Sequence, residues 1–152
     1  MARVSARGVS VVTPPGWDVR IFRRDEVPPE RTFTVVQAAN FSLPSTMGDY
    51  GNGAVQLMGP WCILICLIEF APEHATDALF RAPGPPSSLT AEEFRRSTLQ
   101  HNRPGQVGTQ RFFSAAKRAW SLFAIFGSEE LRSTLLPVVN SVLSGITIGP
   151  AS

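Results

Sequence analysis

The stretch Trp61-Cys62-Ile63-Leu64-Ile65-Cys66-Leu67-Ile68-Glu69-Phe70 decides the architecture. It holds both cysteines of the chain and a single charge, Glu69, near its end. Neither alternating face is polar, so as a strand it has to be covered above and below. It is far shorter than the roughly 18 apolar residues that cross a bilayer. The stretch reads as the central strand of a sheet with a layer on each side.

Upstream, Gly8-Val9-Ser10-Val11-Val12 alternates, and so does Trp17-Asp18-Val19-Arg20-Ile21-Phe22-Arg23. In the second run Trp17, Val19 and Ile21 share one side, with Asp18 and Arg20 on the other. Thr13-Pro14-Pro15-Gly16 between them is turn chemistry, and the two runs read as a hairpin. Residues 33–41 form a third strand, ended by Pro44. Residues 54–58 suit one or two helical turns, stopped by Gly59-Pro60.

Downstream, residues 71–86 are mostly irregular, and Ala82-Pro83-Gly84-Pro85-Pro86 cannot continue a regular element. Thr90 and Glu93 have the spacing of a capping box. Residues 109–115 and 119–126 flank Ala116-Lys117-Arg118 as a second hairpin. Ser128 is placed as an N-cap, with Glu129 and Glu130 at the positive end of a helix dipole. Leu131, Leu135, Val138, Val139, Val142 and Leu143 line one face of that helix. Pro137 is expected to kink it or mark its restart, and Gly145 is placed at C′. Ile146-Thr147-Ile148 is too short to assign.

Taken together these elements specify an α/β chain of the α+β type. The expected architecture is a single-domain sandwich over residues 1–152 with a mainly antiparallel sheet. The amphipathic C-terminal helix lies on one face, and short helices and loops lie on the other. With 43% hydrophobic and 17% charged residues, 152 residues suffice for one sizeable core.

Charge narrows the function classes. The 14 basic residues nearly balance 12 acidic ones, and the basic pairs Arg23-Arg24, Arg95-Arg96 and Lys117-Arg118 are scattered. No block or stripe suited to a phosphate track appears, so nucleic acid is not an expected partner. Lys117 is the only lysine, which with the abundant Ala, Gly and Pro reflects a GC-rich coding bias. The start of the chain lacks an apolar signal region, and a cytoplasmic location is expected.

The strand, Thr13-Pro14-Pro15-Gly16-Trp17 and second strand resemble the opening of the Mog1/PsbP-like α/β/α sandwiches, which also commonly end in an amphipathic helix. The arrangement resembles, in addition, a group of proteins from GC-rich bacteria without an assigned function. The resemblance implies a non-enzymatic accessory role and transfers no functional residue.

No catalytic constellation is evident. Cys62 and Cys66 on one strand would lie about 13 Å apart, too far for a disulfide. His74 and His101 have no metal-ligand spacing to them, and both thiols read as buried and inert. Gly127-Ser128-Glu129 lacks the second glycine of a nucleophile elbow. Gly48-Asp49-Tyr50-Gly51-Asn52-Gly53 lacks the lysine of a phosphate loop and reads as a plain loop or a backbone cradle.

Glu69 is the sharpest polar residue, since a carboxylate on an apolar strand must pair, reach solvent or ionise abnormally. Arg111, on a later strand, offers a cationic partner. The aromatics Phe112, Phe113, Trp120, Phe123 and Phe126 read as hairpin core, or as an interface if one face is uncovered.

The chain is therefore expected to be a protein-binding or accessory module without a cofactor. Its expected partner is another protein or a second copy, engaged by the aromatic hairpin or by residues 71–86. The alternative is a small-ligand site or enzyme built near Asp49, Tyr50 and Glu69, with Arg111 as a further binding residue.

Overall fold

A computed structural model describes residues 1–24, 33–45, 53–99 and 103–151. The strands are β1 (Ala2–Ala6), β2 (Val9–Thr13), β3 (Asp18–Arg24), β4 (Phe33–Ala39), β5 (Ile63–Phe70), β6 (Val107–Ala115), β7 (Arg118–Phe126) and β8 (Ile146–Ile148). The single α-helix among the described residues is α1 (Arg132–Ser144). Two antiparallel sheets result, one of order β1-β2-β8 and one of order β3-β4-β5-β7-β6.

β5 sits in the middle of the larger sheet, as its composition requires, and seven of its eight residues are buried. It begins at Ile63. Trp61 lies outside it and is 62% exposed, because Cys62 N–H closes a turn on Gly59 O. Ile63, Ile65 and Leu67 join a core with Val36, Trp120 and Leu122. Val9, Val11 and Ile146 of the small sheet and Leu135, Val139, Val142 and Leu143 of α1 complete it. Leu64 and Cys66 face the other way, toward Leu43, Ala54, Val55 and Ile125. Burying one side chain such as Leu67 contributes about 1.5–3 kcal/mol.

The expected first hairpin is not formed. β2 pairs with β1 and β8, whereas β3 pairs with β4, so Pro14-Pro15-Gly16 carries the chain from one sheet to the other. The alternation within β3 is as read: Trp17, Val19 and Ile21 pack on the first core. Asp18 and Arg20 grip the segment after β4, the carboxylate accepting from Leu43 N–H and the guanidinium donating to Leu43 O. The true first hairpin turns at Arg7 and Gly8, both with positive φ (53° and 79°).

The second hairpin turns in two residues, Ala116 and Lys117, with φ of 52° and 61°. That is the primed turn whose twist suits paired strands. Arg118 thereby becomes the first residue of β7 rather than part of the loop.

α1 starts four residues later than Ser128, and Ser128 does not cap it. The Glu129 N–H is taken by Gly105 O at 2.7 Å, and residues 128–132 form tight turns ahead of the helix. The helix runs through Pro137, which has no N–H to donate to the Ser133 carbonyl, on the exposed side. Val138 is 37% exposed and stands outside the buried stripe of Leu135, Val139, Val142 and Leu143. Gly145 follows the helix with φ of −91°, so no left-handed turn requires it. Space does: a Cβ there would stand 2.7 Å from the Val12 carbonyl oxygen.

Candidate functional site

Of the residues singled out, Asp49 and Tyr50 lie outside the described residues, as does His101. Glu69 and Arg111 are described, and the structure does not bring them together. Glu69 faces Trp120 across β5 and β7, while Arg111 lies on β6, beyond β7, opposite Leu122. The partner of Glu69 is Arg118, which lies diagonally across from it on the same face of the sheet. Strand order chooses between the two arginines: Arg118 lies on β7, next to β5, and Arg111 on β6, one strand further away.

The Glu69–Arg118 pair is bidentate: Nε donates to Oε2 at 2.8 Å and Nη2 to Oε1 at 3.1 Å. Arg118 is 5% exposed and Glu69 9%. The other guanidinium hydrogens are also used. Nη1 donates to the carbonyls of Arg7 (3.0 Å) and Gly149 (2.9 Å), and Nη2 also approaches Thr34 Oγ1 at 3.4 Å. Thr34 N–H donates to Glu69 Oε1 at 3.2 Å, and Arg7 Nε donates to Thr34 Oγ1 at 2.8 Å. The Arg118 guanidinium also lies over the Trp120 ring, 4.8 Å from its centroid.

Gly8 lets the two sheets close on this centre. Its φ is positive, and a Cβ would stand 2.3 Å from Pro150 O and 2.8 Å from Arg118 Nη1. Burial pushes the Glu69 carboxyl up, but the Arg118 hydrogen bonds and charge and the Thr34 N–H outweigh it and hold it below the usual range. Both carboxylate oxygens are engaged within the protein. The arrangement joins the turn of the small sheet and the residue after β8 to the larger sheet. That is a structural joint between the two sheets.

Arg111 belongs to a second bidentate pair, with Glu93. Nε donates to Oε1 at 2.9 Å and Nη2 to Oε2 at 2.7 Å. Thr109 Oγ1 and Thr90 N–H donate to the same carboxylate at 2.9 and 2.7 Å. The capping box of Thr90 and Glu93 is present as read, although the helix it opens is a single 3-10 turn, Ala91–Glu93. Burial raises the Glu93 carboxyl, yet Arg111, Thr90 and Thr109 pull it down to about 2.

The hairpin aromatics are covered except Phe112, which is half-buried. Phe113, Trp120, Phe123 and Phe126 are buried. Phe112, on the opposite face from Phe113, joins a cluster with Phe70 (6.5 Å between centroids) and Phe80 (5.7 Å). That cluster anchors residues 71–86, whose two 3-10 turns are Pro72–Thr76 and Ala78–Phe80. Phe80 inserts at 4% exposure while Leu79, beside it, stands 58% exposed. Gly84 N–H donates to Ser114 O at 3.1 Å and fastens the end of the segment to β6.

Neither Cys62 nor Cys66 is in a disulfide; Cys66 is fully buried, and Cys62 Sγ accepts from Gly59 N–H at 3.3 Å. His74 pairs with Asp77 at 2.7 Å. Among the described residues no three His, Cys, Asp or Glu side chains gather as a metal site. No described helix is long and apolar enough to cross a membrane.

Sequence reasoning missed Arg118 because it placed that residue in a loop. The signal was available: a two-residue hairpin turn puts it on the strand, two residues from Trp120 and on the same face. No protein-family model, curated protein or solved structure matches the chain.

Proposed function

We propose that the chain is a cytoplasmic, non-enzymatic protein-binding module whose binding element is the segment 71–86. The observation that carries this is the contrast between adjacent residues: Phe80 anchors the segment in the aromatic cluster, and Leu79 is held outward at 58% exposure. Sixteen residues of loop are fixed in shape by one aromatic, a His74–Asp77 pair and the bonds of residues 82–84 to Ser114. Ordering backbone costs about 1–2 kcal/mol per residue. A loop that is already ordered and presents an apolar side chain spares its partner that cost. The α/β/α sandwich of the Mog1/PsbP-like kind belongs to this reading. It is supported by α1 sharing a core with one face of the larger sheet and Val55 with the other.

The test compares tagged wild type with Leu79→Asp, expressed at native level and captured for quantitative mass spectrometry. A stoichiometric partner should be recovered with wild type and reduced about tenfold or more with Leu79→Asp, at an unchanged melting temperature. Equal recovery overturns the reading. So does the absence of any partner together with a monomer on sizing.

A further inference from the structure

We propose that the outer edge of β6, between Gly108 and Ser114, is a slot for an extended peptide segment of a partner protein. The segment would add to the sheet through the main-chain groups of Gln110 and Phe112. This rests on the protein-binding reading and gives the partner a shape.

β6 pairs with β7 on one side, so the main-chain groups of alternate residues point outward. At one end of the edge, Arg95 and Gly108 exchange both hydrogen bonds, at 2.8 and 3.0 Å. At the other, Ser114 N–H donates to Ala82 O at 3.0 Å and Ser114 O accepts from Gly84 N–H at 3.1 Å. Between them, the outward N–H and C=O of Gln110 and Phe112 meet no partner among the described residues. Proteins blunt sheet edges to prevent unwanted pairing. Here the chain covers both ends of the edge and leaves the middle open. Gly108 to Ser114 spans about 20 Å of strand, and the stretch between the two covers, residues 109–113, spans about 13 Å, enough for about four extended residues.

Two residues between the covers are engaged by groups other than the outward main chain of Gln110 and Phe112. Leu89 is buried in the first core, and its N–H and C=O are both held by Asn140 of α1, at 2.9 and 3.1 Å. Glu93 is held on the same side by Arg111 and Thr109. Residues 110–112 are half-exposed, whereas 106–109 and 113 are buried.

The two sides of the slot differ in chemistry. One carries the Glu93–Arg111 pair; the other carries Phe112 beside Phe80. A docked strand alternates its side chains between these sides. The fitting segment alternates polar and apolar residues, the apolar ones resting on the aromatics. Main-chain bonds supply affinity and the aromatics supply selectivity.

The probe is a phage-displayed library of random linear dodecapeptides selected on the full chain. Synthetic copies of the enriched peptides are then titrated by fluorescence anisotropy against wild type, Gln110→Pro and Gln110→Thr. Gln110→Pro removes an outward N–H and leaves the β7 ladder intact, because proline is tolerated where the N–H faces away. Binding should fall about tenfold or more on Gln110→Pro and stay within about threefold on Gln110→Thr. N-methylation of alternate peptide amides should weaken binding to wild type by about the same tenfold factor, a readout that holds even if Gln110→Pro does not fold. Equal binding to both variants with tolerance of N-methylation overturns the slot and leaves the Leu79 reading standing. A library that enriches no peptide overturns the slot as well. A concentration-dependent dimer lost in Gln110→Pro assigns the edge to a second copy and overturns the peptide.

Discussion

The two bidentate arginine–glutamate pairs have nearly the same contact geometry and different surroundings. Glu69–Arg118 lies inside the protein, with side-chain exposures of 11% and 6%, and spans two sheets. Glu93–Arg111 sits at a sheet edge at 20% and 40%, and fastens a loop to a strand. A buried pair exacts a desolvation cost that only complete hydrogen bonding offsets, so removing one partner is far worse than never having had the pair. A half-exposed pair is screened by water, and its loss is mild. The same contact therefore acts as an obligatory joint in one place and as an adjustable fastening in the other.

The largest expected effect comes from breaking the joint. Arg118→Met leaves Glu69 buried without its cation and should cost about 3–5 kcal/mol, read as the loss of urea resistance. Adding Glu69→Leu should recover part of that loss, because an apolar pair removes the stranded charge. The carbonyls of Arg7 and Gly149 still lose their donor, so recovery stays incomplete. A single Arg118→Met that melts like wild type would erase the distinction between the pairs.

Glu93→Gln should cost about 1 kcal/mol, after allowance for the solvent around Arg111. Its signature lies in acid. The folded carboxyl sits at about 2 against an ordinary 4.5, so its contribution is present above pH 4.5 and is lost as pH falls toward 2. Melting temperature measured across that window should fall less steeply in Glu93→Gln than in wild type. Identical slopes would show that the pair does not couple to folding.

The smallest effect is with salt. Raising ionic strength to about 1 M shortens the screening length to about 3 Å. The stability gap between wild type and Glu93→Gln should narrow, while that between wild type and Arg118→Met should hold. Equal narrowing in both would mean that water reaches the joint.

Much of the fold was legible because it rests on composition. Most of the 61–70 run, from Ile63 on, is the doubly covered strand its composition requires, and the alternation of Trp17, Val19 and Ile21 named the correct side of β3. Strand partners were not legible. Proline and glycine at 14–16 announce a turn, but turn chemistry does not say whether the chain returns to the same sheet or crosses to another. β1 escaped notice because Ala2-Arg3-Val4-Ser5-Ala6 has little apolar alternation, and its turn, Arg7-Gly8, lacks the usual asparagine or aspartate. The need of Glu69 for a cation was readable from its strand. Which arginine supplied it depended on strand order and register, properties of distant segments taken together.

The five contacts of the Arg118 guanidinium restrict what position 118 can hold. Lysine would preserve the charge but carries three hydrogens on a single nitrogen, against five on a planar fork. It cannot reach a carboxylate on one side and two carbonyls on the other. The position is specified by the number and direction of its donors rather than by its charge, and exchange between the two basic residues is not conservative there.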